Sequence, residues 1–563
     1  MSKVYSGVAI SPGLALGHLS QCQQRQHAQA ICLRDLLGQE AQVLQQLAQR
    51  EDLSDNQRQL LEADWLLLSD PELLDGIERR QQQGVALAQA IWLEFDQFAA
   101  QIAQLPQPEL AKRATDLRYL GQRLSRRCSG DQLQFPSQFE QPTVLLLPDL
   151  TAAEFIQLPK ANLSGLVLEH GSLTDHLAIL IRAAAIPAII LADGCSRLSP
   201  GPSMLDGDSG QITIANHRDD LLQFDAIQHH WQQRQQHYNL ARQQPARTAD
   251  GHSLWLGGNI GSLDECEAIH ANQLDGVGLL RTELLYLASG QWPTEAQQYQ
   301  HYRAIAARLE GKPLVIRTFD FGADKDLPGL SQPQANPALG LRAIRLGRDH
   351  GQHLRDQLRA IIRVAQDHPV QLLLPMVSLV EELHSAKMMI AAEQQALGLL
   401  TPLPIGVMIE TPAAALMIDQ LAPLVDFASI GSNDLAQYCL AADRNNGHVS
   451  PHFPDLSPPV IRLIDQIARQ CQQQQLPLSI CGELGADLRA VPLLLALGIS
   501  KFSIAPNRAG EVKYLLSHFS YCDAQPLRQK ALQCSTNEQL QNLLIGCNAY
   551  QKATKMTDSA MSQ

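Results

Sequence analysis

The chain has no block of basic residues, no long apolar run and no Cys-x-x-Cys pair. Lys and Arg number 44 against 57 Asp and Glu, a formal charge of −13. That balance, without a basic cluster, argues against nucleic-acid binding by phosphate neutralisation. The longest apolar stretches, such as Val491 to Ile499, fall far short of the ~18–20 residues that span a bilayer. The opening residues, Met1 to Gly7, lack the apolar core of a secretory signal, so a cytoplasmic location is expected. Eleven scattered cysteines read as reduced thiols and exclude a disulfide scaffold or a structural zinc site. What is present is ordinary for a globular protein: 45% hydrophobic and 18% charged residues. At 563 residues, about three domains are expected.

Texture divides the chain. Val4 to Leu19 alternates and is broken by Ser11-Pro12-Gly13, which predicts a hairpin or a strand with a tight turn. From Gln21 to Gly130 leucines recur at helical spacing among Gln, Glu and Arg, the pattern of an inserted helical hairpin or bundle. Short apolar strands follow at Val144 to Leu147, Gly165 to Leu168, Ala188 to Leu191 and Gln211 to Ile214, alternating with helices as in a compact α/β unit. Arg218 to Arg247 is rich in Gln and His and reads as a long solvated linker helix. His229 and His230 lie there with no third metal ligand nearby.

Beyond Trp255, eight apolar runs alternate with helical segments. They are Trp255–Ile260, Gly276–Leu280, Leu314–Thr318, Gln371–Pro375, Ile405–Ile409, Phe427–Ile430, Leu476–Ile480 and Lys501–Ile504. Continuous apolar runs suit parallel strands buried on both faces, and eight such units predict a (β/α)8 TIM barrel. Polar residues follow the runs, at Asn259, Arg281, Arg317, Glu410, Asn433, Asp434 and Cys481, where barrel enzymes carry their chemistry.

Arg281, Arg317 and Arg342 would meet near one barrel mouth. Guanidinium forks bind phosphate or carboxylate and keep their charge, so a small phosphorylated acid is the expected guest. Glu410 and Asp434 each follow a strand and would suit Mg²⁺, which takes few protein ligands beside substrate oxygens and water. Any one of these five could be a structural ion pair, but five buried charges together call for a ligand. Cys481 could donate or accept a proton at the mouth, or be a buried small apolar residue. His176 falls in the first turn of a predicted helix capped by Thr174 or Asp175. The positive helix end favours a neutral imidazole and an anionic adduct, so His176 is either a phosphoryl acceptor or a capping or surface residue.

These residues lie in stretches similar to a known family. Gly7-Val8-Ala9-Ile10-Ser11-Pro12-Gly13, Asp116-Leu117-Arg118-Tyr119-Leu120-Gly121, Gly276 to Glu283, Glu410-Thr411-Pro412-Ala413-Ala414, Ser429 to Leu435, Asp443-Arg444 and Cys481-Gly482-Glu483-Leu484 resemble enzyme I of the bacterial sugar phosphotransferase system. The resemblance runs from about residue 4 to residue 545; pyruvate phosphate dikinase and phosphoenolpyruvate synthase share its barrel motifs. It implies a multidomain α/β protein. A phosphohistidine domain would occupy residues 1–20 and 141–217, with an inserted helical subdomain at 21–140 that docks the carrier HPr. A linker helix at 218–250, a phosphoenolpyruvate-binding TIM barrel at 251–550 and a disordered tail at 551–563 would follow. It further implies Mg²⁺-dependent transfer of the phosphoryl group of phosphoenolpyruvate to Nε2 of His176, whose ring Thr151 would partner, and on to an HPr-like protein. Arg281 and Arg317 would hold the phosphate, Asn433 and Arg444 the carboxylate, and Glu410 and Asp434 the metal. Cys481 would protonate the enolate, and the barrel would make a homodimer. The histidine loop reads Gly171-Ser172-Leu173-Thr174-Asp175-His176, where the family usually has Gly-Gly-x-Thr-Ser-His. Asp175 therefore motivates an alternative, a slow phosphoenolpyruvate-sensing regulatory or docking paralogue.

Overall fold

A computed structural model describes residues 3–21, 24–26, 32–48, 65–66, 68, 70–103, 108–128, 131–133, 135–150, 152–170, 176–192, 194–283, 285, 292–321, 336–348, 351–399, 401–444, 446 and 449–554. The chain forms two compact units, Met1–Gln232 and Gln233–Gln563.

The first unit is built on an eight-stranded mixed sheet. Its strands are β1 (Lys3–Ser6), β2 (Val8–Ser11), β3 (Leu14–Gln21), β6 (Thr143–Leu147), β7 (Leu163–Leu168), β8 (Ala188–Ile190), β9 (Gly201–Asp206) and β10 (Gln211–Ile214). The spatial order is β1-β10-β9-β3-β6-β7-β8-β2. Between β3 and β6 stand the ribbon strands β4 (Gln24–Gln26) and β5 (Asp131–Leu133) and the helices Leu33–Ala48, Pro71–Gln82, Leu87–Ala103 and Pro108–Cys128. The parallel strands β6 and β7 are nearly all buried, which is why they read as unbroken apolar runs. The expected N-terminal hairpin does not form. Ser11-Pro12-Gly13 does turn the chain, but β2 then pairs with β8 and β3 with β9 and β6. The inserted helices share one core with the sheet, Leu36, Phe95 and Leu117 joining Leu145 and Leu166.

Helix Arg218–Arg242 passes from the first unit into the second. It stops five residues before the expected Arg247, because Pro245 disfavours a helical residue before it. Its last turns belong to the second unit. Lys513 Nζ donates to Arg242 O at 3.0 Å, and Tyr238 Oη donates to Ala553 O at 3.2 Å.

The second unit is a closed parallel barrel. Its strands are β11 (Trp255–Ile260), β12 (Val277–Leu280), β13 (Leu314–Arg317), β14 (Val370–Leu374), β15 (Ile405–Ile409), β16 (Phe427–Gly431), β17 (Leu478–Cys481) and β18 (Lys501–Ile504). Leu279, Val315, Leu373, Met408 and Cys481 fill the interior above Phe427, while a larger apolar shell lies between strands and helices. Near the N-terminal ends of the strands, the Trp255 ring takes up the space that side chains at two glycines would need. A Cβ on Gly278 would meet Ser503 Oγ at 2.4 Å, Ser503 Cβ at 2.7 Å and Trp255 at 3.1 Å. Gly278→Ala should therefore destabilise the barrel transition in chemical denaturation by about 1–3 kcal/mol, the range for overpacked cores. Gly351→Ala, with nothing within 4 Å, should leave it unmoved or slightly raised. Equal midpoints for the two variants would rule this packing account out.

Candidate active site

The carboxyl ends of the barrel strands converge on a cavity of about 760 Å³. Arg281, Arg317, Glu410, Asn433, Asp434, Arg444 and Cys481 all line it. Arg342 lies just behind and reaches the same residues through carboxylates.

Five buried charges alternate in sign across this mouth. Glu283 Oε1 accepts from Arg317 Nη2 at 2.9 Å, and Arg317 Nη1 lies 3.0 Å from Asp320 Oδ2. Arg342 grips both Asp320 oxygens, Nε to Oδ1 at 2.9 Å and Nη2 to Oδ2 at 3.0 Å. Its Nη1 donates to Asp434 Oδ1 at 2.8 Å and to the Tyr438 hydroxyl at 3.0 Å. Arg444, half-exposed, continues the series with Nη1 3.8 Å from Asp434 Oδ2. Burial would depress both buried arginines, but the facing carboxylates overcome it and hold their pKa above the ordinary value. Arg317 Nε is buried and has no hydrogen-bond partner, a donor left over for a guest.

Glu410 completes the buried set. Its Oε1 accepts the Met376 backbone N–H at 2.6 Å, with Met376 held at φ +59°. A left-handed methionine costs about 1–2 kcal/mol and persists only where its surroundings fix it. Burial first, then the nearby Asp434 and Asp320, push the Glu410 carboxyl up to about 8. Among the described buried residues here, the carboxylates Glu283, Asp320, Glu410 and Asp434 outnumber the guanidiniums Arg317 and Arg342 by two. A divalent cation fits that set by displacing the proton that Glu410 holds below about 8, and Glu410 and Asp434 are hard oxygen donors facing the cavity. No group of three or more His, Cys, Asp or Glu that could hold a metal occurs among the described residues, so such an ion would need oxygens from water or a guest.

Asn433 and Asp434 stand in the first turn of helix Ser432–Leu440, where free N–H groups favour anions. Asn433 Oδ1 accepts from the Glu483 N–H at 2.9 Å and the Ser432 hydroxyl at 3.2 Å, which leaves its amide N–H groups for the cavity. Cys481 is 2% exposed. Its Sγ donates to Ile430 O at 3.3 Å and receives the Ser429 hydroxyl at 3.5 Å. Burial pushes this thiol up to about 11, against the opposing effect of that hydroxyl. A thiol that keeps its proton is a proton donor in waiting.

In the first unit, His176 opens helix His176–Ala183, as its spacing predicted. Its imidazole, Thr151, Ser172, Thr174 and Asp175 lie outside the described residues.

With this geometry in hand, comparison with known proteins is specific. The family description "PEP-utilising enzyme, PEP-binding domain" matches residues 235–521, "PEP-utilising enzyme, mobile domain" residues 139–210, and "PEP-utilising enzyme, N-terminal" residues 6–113. A phosphoenolpyruvate-protein phosphotransferase of Staphylococcus carnosus is 33% identical over 494 residues, covering 86% of this chain and 86% of that protein. One of Enterococcus faecalis is 31% identical over 566 residues, covering 96% of this chain and 98% of its own. The chain belongs to the phosphoenolpyruvate-protein phosphotransferase family.

Within this phosphotransferase-family barrel, sequence reasoning named the arginines but missed Glu283 and Asp320, which hold them. The signal was available in part: each acid follows an arginine by two or three residues, as Arg281-Thr282-Glu283 and Arg317-Thr318-Phe319-Asp320, although Glu283 holds Arg317. Asp455 was also missed. It lines the cavity, and burial with nearby Glu483 raises it to about 6.

The thiol supplies a direct check. Cys481 alkylation by iodoacetamide, followed by mass spectrometry of its peptide, should still climb roughly tenfold per pH unit above pH 9 and level off only toward about 11. Linkage has the matching sign. The native protein keeps a proton that the unfolded chain sheds from about 9, so this group's contribution is intact below 9 and lost as pH rises toward about 11. A Cys481 profile that levels off at the ordinary thiol value of 9.0 would contradict the burial described above.

Proposed function

We propose that the chain is a phosphoenolpyruvate-protein phosphotransferase that moves the phosphoryl group of phosphoenolpyruvate to His176 and then to a histidine of an HPr-like carrier, driving sugar phosphotransferase transport. The observation that carries the reading is the barrel mouth itself, where buried Arg317, a helix N-terminus and the buried carboxylates Asp320, Glu410 and Asp434 meet at one cavity with Arg342 just behind.

Arg281 and Arg317 hold the phosphate, and Asn433 with Arg444 holds the carboxylate. Arg342 serves the same anion by fixing Asp320 and Asp434. Glu410 and Asp434 would hold Mg²⁺, which when bound supplies positive charge beside the transferring oxygens. Neutral His176, with Thr151 beside its ring, attacks phosphorus through Nε2. The P–Nε2 bond forms as the bond from phosphorus to the enol oxygen breaks, leaving the electron pair on the enolate. Carbon 3 of that enolate takes the Cys481 proton, the S–H electron pair stays on sulfur, and pyruvate results. Helix Arg218–Arg242 joins the histidine's unit to the barrel, so a swivel about it would bring the two groups together. A barrel-mediated homodimer and a cytoplasmic location belong to the same proposal. No helix among the described residues is long and apolar enough to cross a membrane. The regulatory alternative is not favoured, since the named relatives are phosphotransferases over nearly their whole length.

Incubation with Mg²⁺ and phosphoryl-labelled phosphoenolpyruvate should give one acid-labile phosphate per chain, absent in His176→Ala, and an HPr-like protein should then remove it. An unlabelled wild-type chain that still binds phosphoenolpyruvate would sink the transfer reading and return the sensor to consideration.

A further inference from the structure

Asp320 is given no contact with substrate or metal in the chemistry just described, yet it is the only described carboxylate that pairs with both buried arginines of the mouth. It is 2% exposed, lines the cavity, and its backbone N–H donates to Glu283 Oε1 at 2.8 Å. One of its oxygens is shared between Arg317 and Arg342.

We propose that Asp320 is a positioning residue that divides the site between anion and cation: it competes with the substrate's phosphate for Arg317 while sustaining, with Arg342, the negative charge that retains a divalent ion at Asp434 and Glu410. The inference rests on the reading above, in which Arg317 takes the phosphate and those two carboxylates take the metal.

Two consequences have opposite sign. Arg317 has both terminal nitrogens engaged, Nη2 by Glu283 and Nη1 by Asp320. An entering phosphate must share them or use the unpartnered Nε. Removing the Asp320 charge frees Nη1 and lowers the repulsion that the phosphate meets. The same change removes one of the buried carboxylates that attract a divalent ion, and loosens the guanidinium that orients Asp434. A residue that merely held the loop in shape would, on substitution, weaken both ligands together.

The test uses the full chain and binding alone. Mn²⁺ is titrated without substrate and free ion is read by electron paramagnetic resonance; phosphoenolpyruvate is titrated calorimetrically in excess chelator. For Asp320→Asn, the Mn²⁺ Kd should rise roughly tenfold or more, given a unit charge lost within a few ångströms of a divalent ion in a low-dielectric site. The metal-free phosphoenolpyruvate Kd should fall severalfold. Asp320→Glu, which restores the charge, should recover Mn²⁺ affinity. Glu283→Gln frees the same guanidinium from its other side and should also tighten metal-free phosphoenolpyruvate, which keeps the proposal testable should Asp320→Asn fold poorly. Weakening of both ligands in Asp320→Asn, or no change in either, would overturn the assignment. Arg317→Ala separates the two levels: if it abolishes metal-free binding while Asp320→Asn moves nothing, this inference alone fails. If Arg317→Ala binds phosphoenolpyruvate normally, the phosphate reading fails and takes this inference with it.

Discussion

The second unit is organised around the run of buried charge from Glu283 through Arg317, Asp320 and Arg342 to Asp434. Each of these groups has left water, and the desolvation of one buried ion costs several kcal/mol. A buried series of this kind is not a device for stability. Well-packed apolar side chains of similar volume would often do as well or better. Its geometry is what matters: the two arginines are held by paired or bidentate contacts, so their forks cannot rotate away from the cavity. The structure thus keeps Arg317 fixed at the cavity and Arg342 fixed just behind it, and pays in stability for their aim.

The barrel makes that aim possible because every member but Arg342 comes from a strand end or the few residues just after it. Glu283 and Arg317 follow β12 and close β13, Glu410 follows β15, and Asp434 stands just past β16. Two backbone details tighten the arrangement. Met376, past β14, adopts a left-handed conformation and so directs its N–H at Glu410. Gly431 ends β16 beside the same carboxylate, where a Cβ would lie 2.7 Å from Glu410 Oε2. A side chain there would push Glu410 aside, so glycine is required by close approach.

How much of this could be read from the sequence follows from the range of the forces. Trp255–Ile260, Ile405–Ile409 and Lys501–Ile504 have the same bounds in sequence and structure, and the other five barrel strands differ by a residue or two. A strand buried on both faces writes its whole length as apolar residues. The arginines were legible because a guanidinium at a strand end has few bland uses. Their holders were not, because an acid near an arginine is common on any surface, and only the fold shows that Asp320 is buried and shared. The N-terminal hairpin failed for the same reason: a turn signal is local, whereas the choice of β8 or β9 as partner is made across more than 170 residues. Lys513 is the extreme case. Its ammonium caps carbonyls of Arg242, Asn272 and Gln273, and no local pattern contains that contact.

The paired state of the arginines also bears on how tightly a substrate should be held. A cavity with free guanidiniums would gain the full attraction of an entering dianion. Here the anion replaces or crowds existing carboxylates, so the net gain is the difference between two similar sets of charge-assisted hydrogen bonds. Ground-state binding would thereby be modest, and interaction that a fixed fork makes only as charge redistributes in a reaction would raise turnover instead of deepening the bound state. The surplus of buried negative charge works in the same direction. It would oppose a phosphate in isolation and favour one accompanied by a divalent cation, so a site charged in this way would suit the pair better than either partner alone.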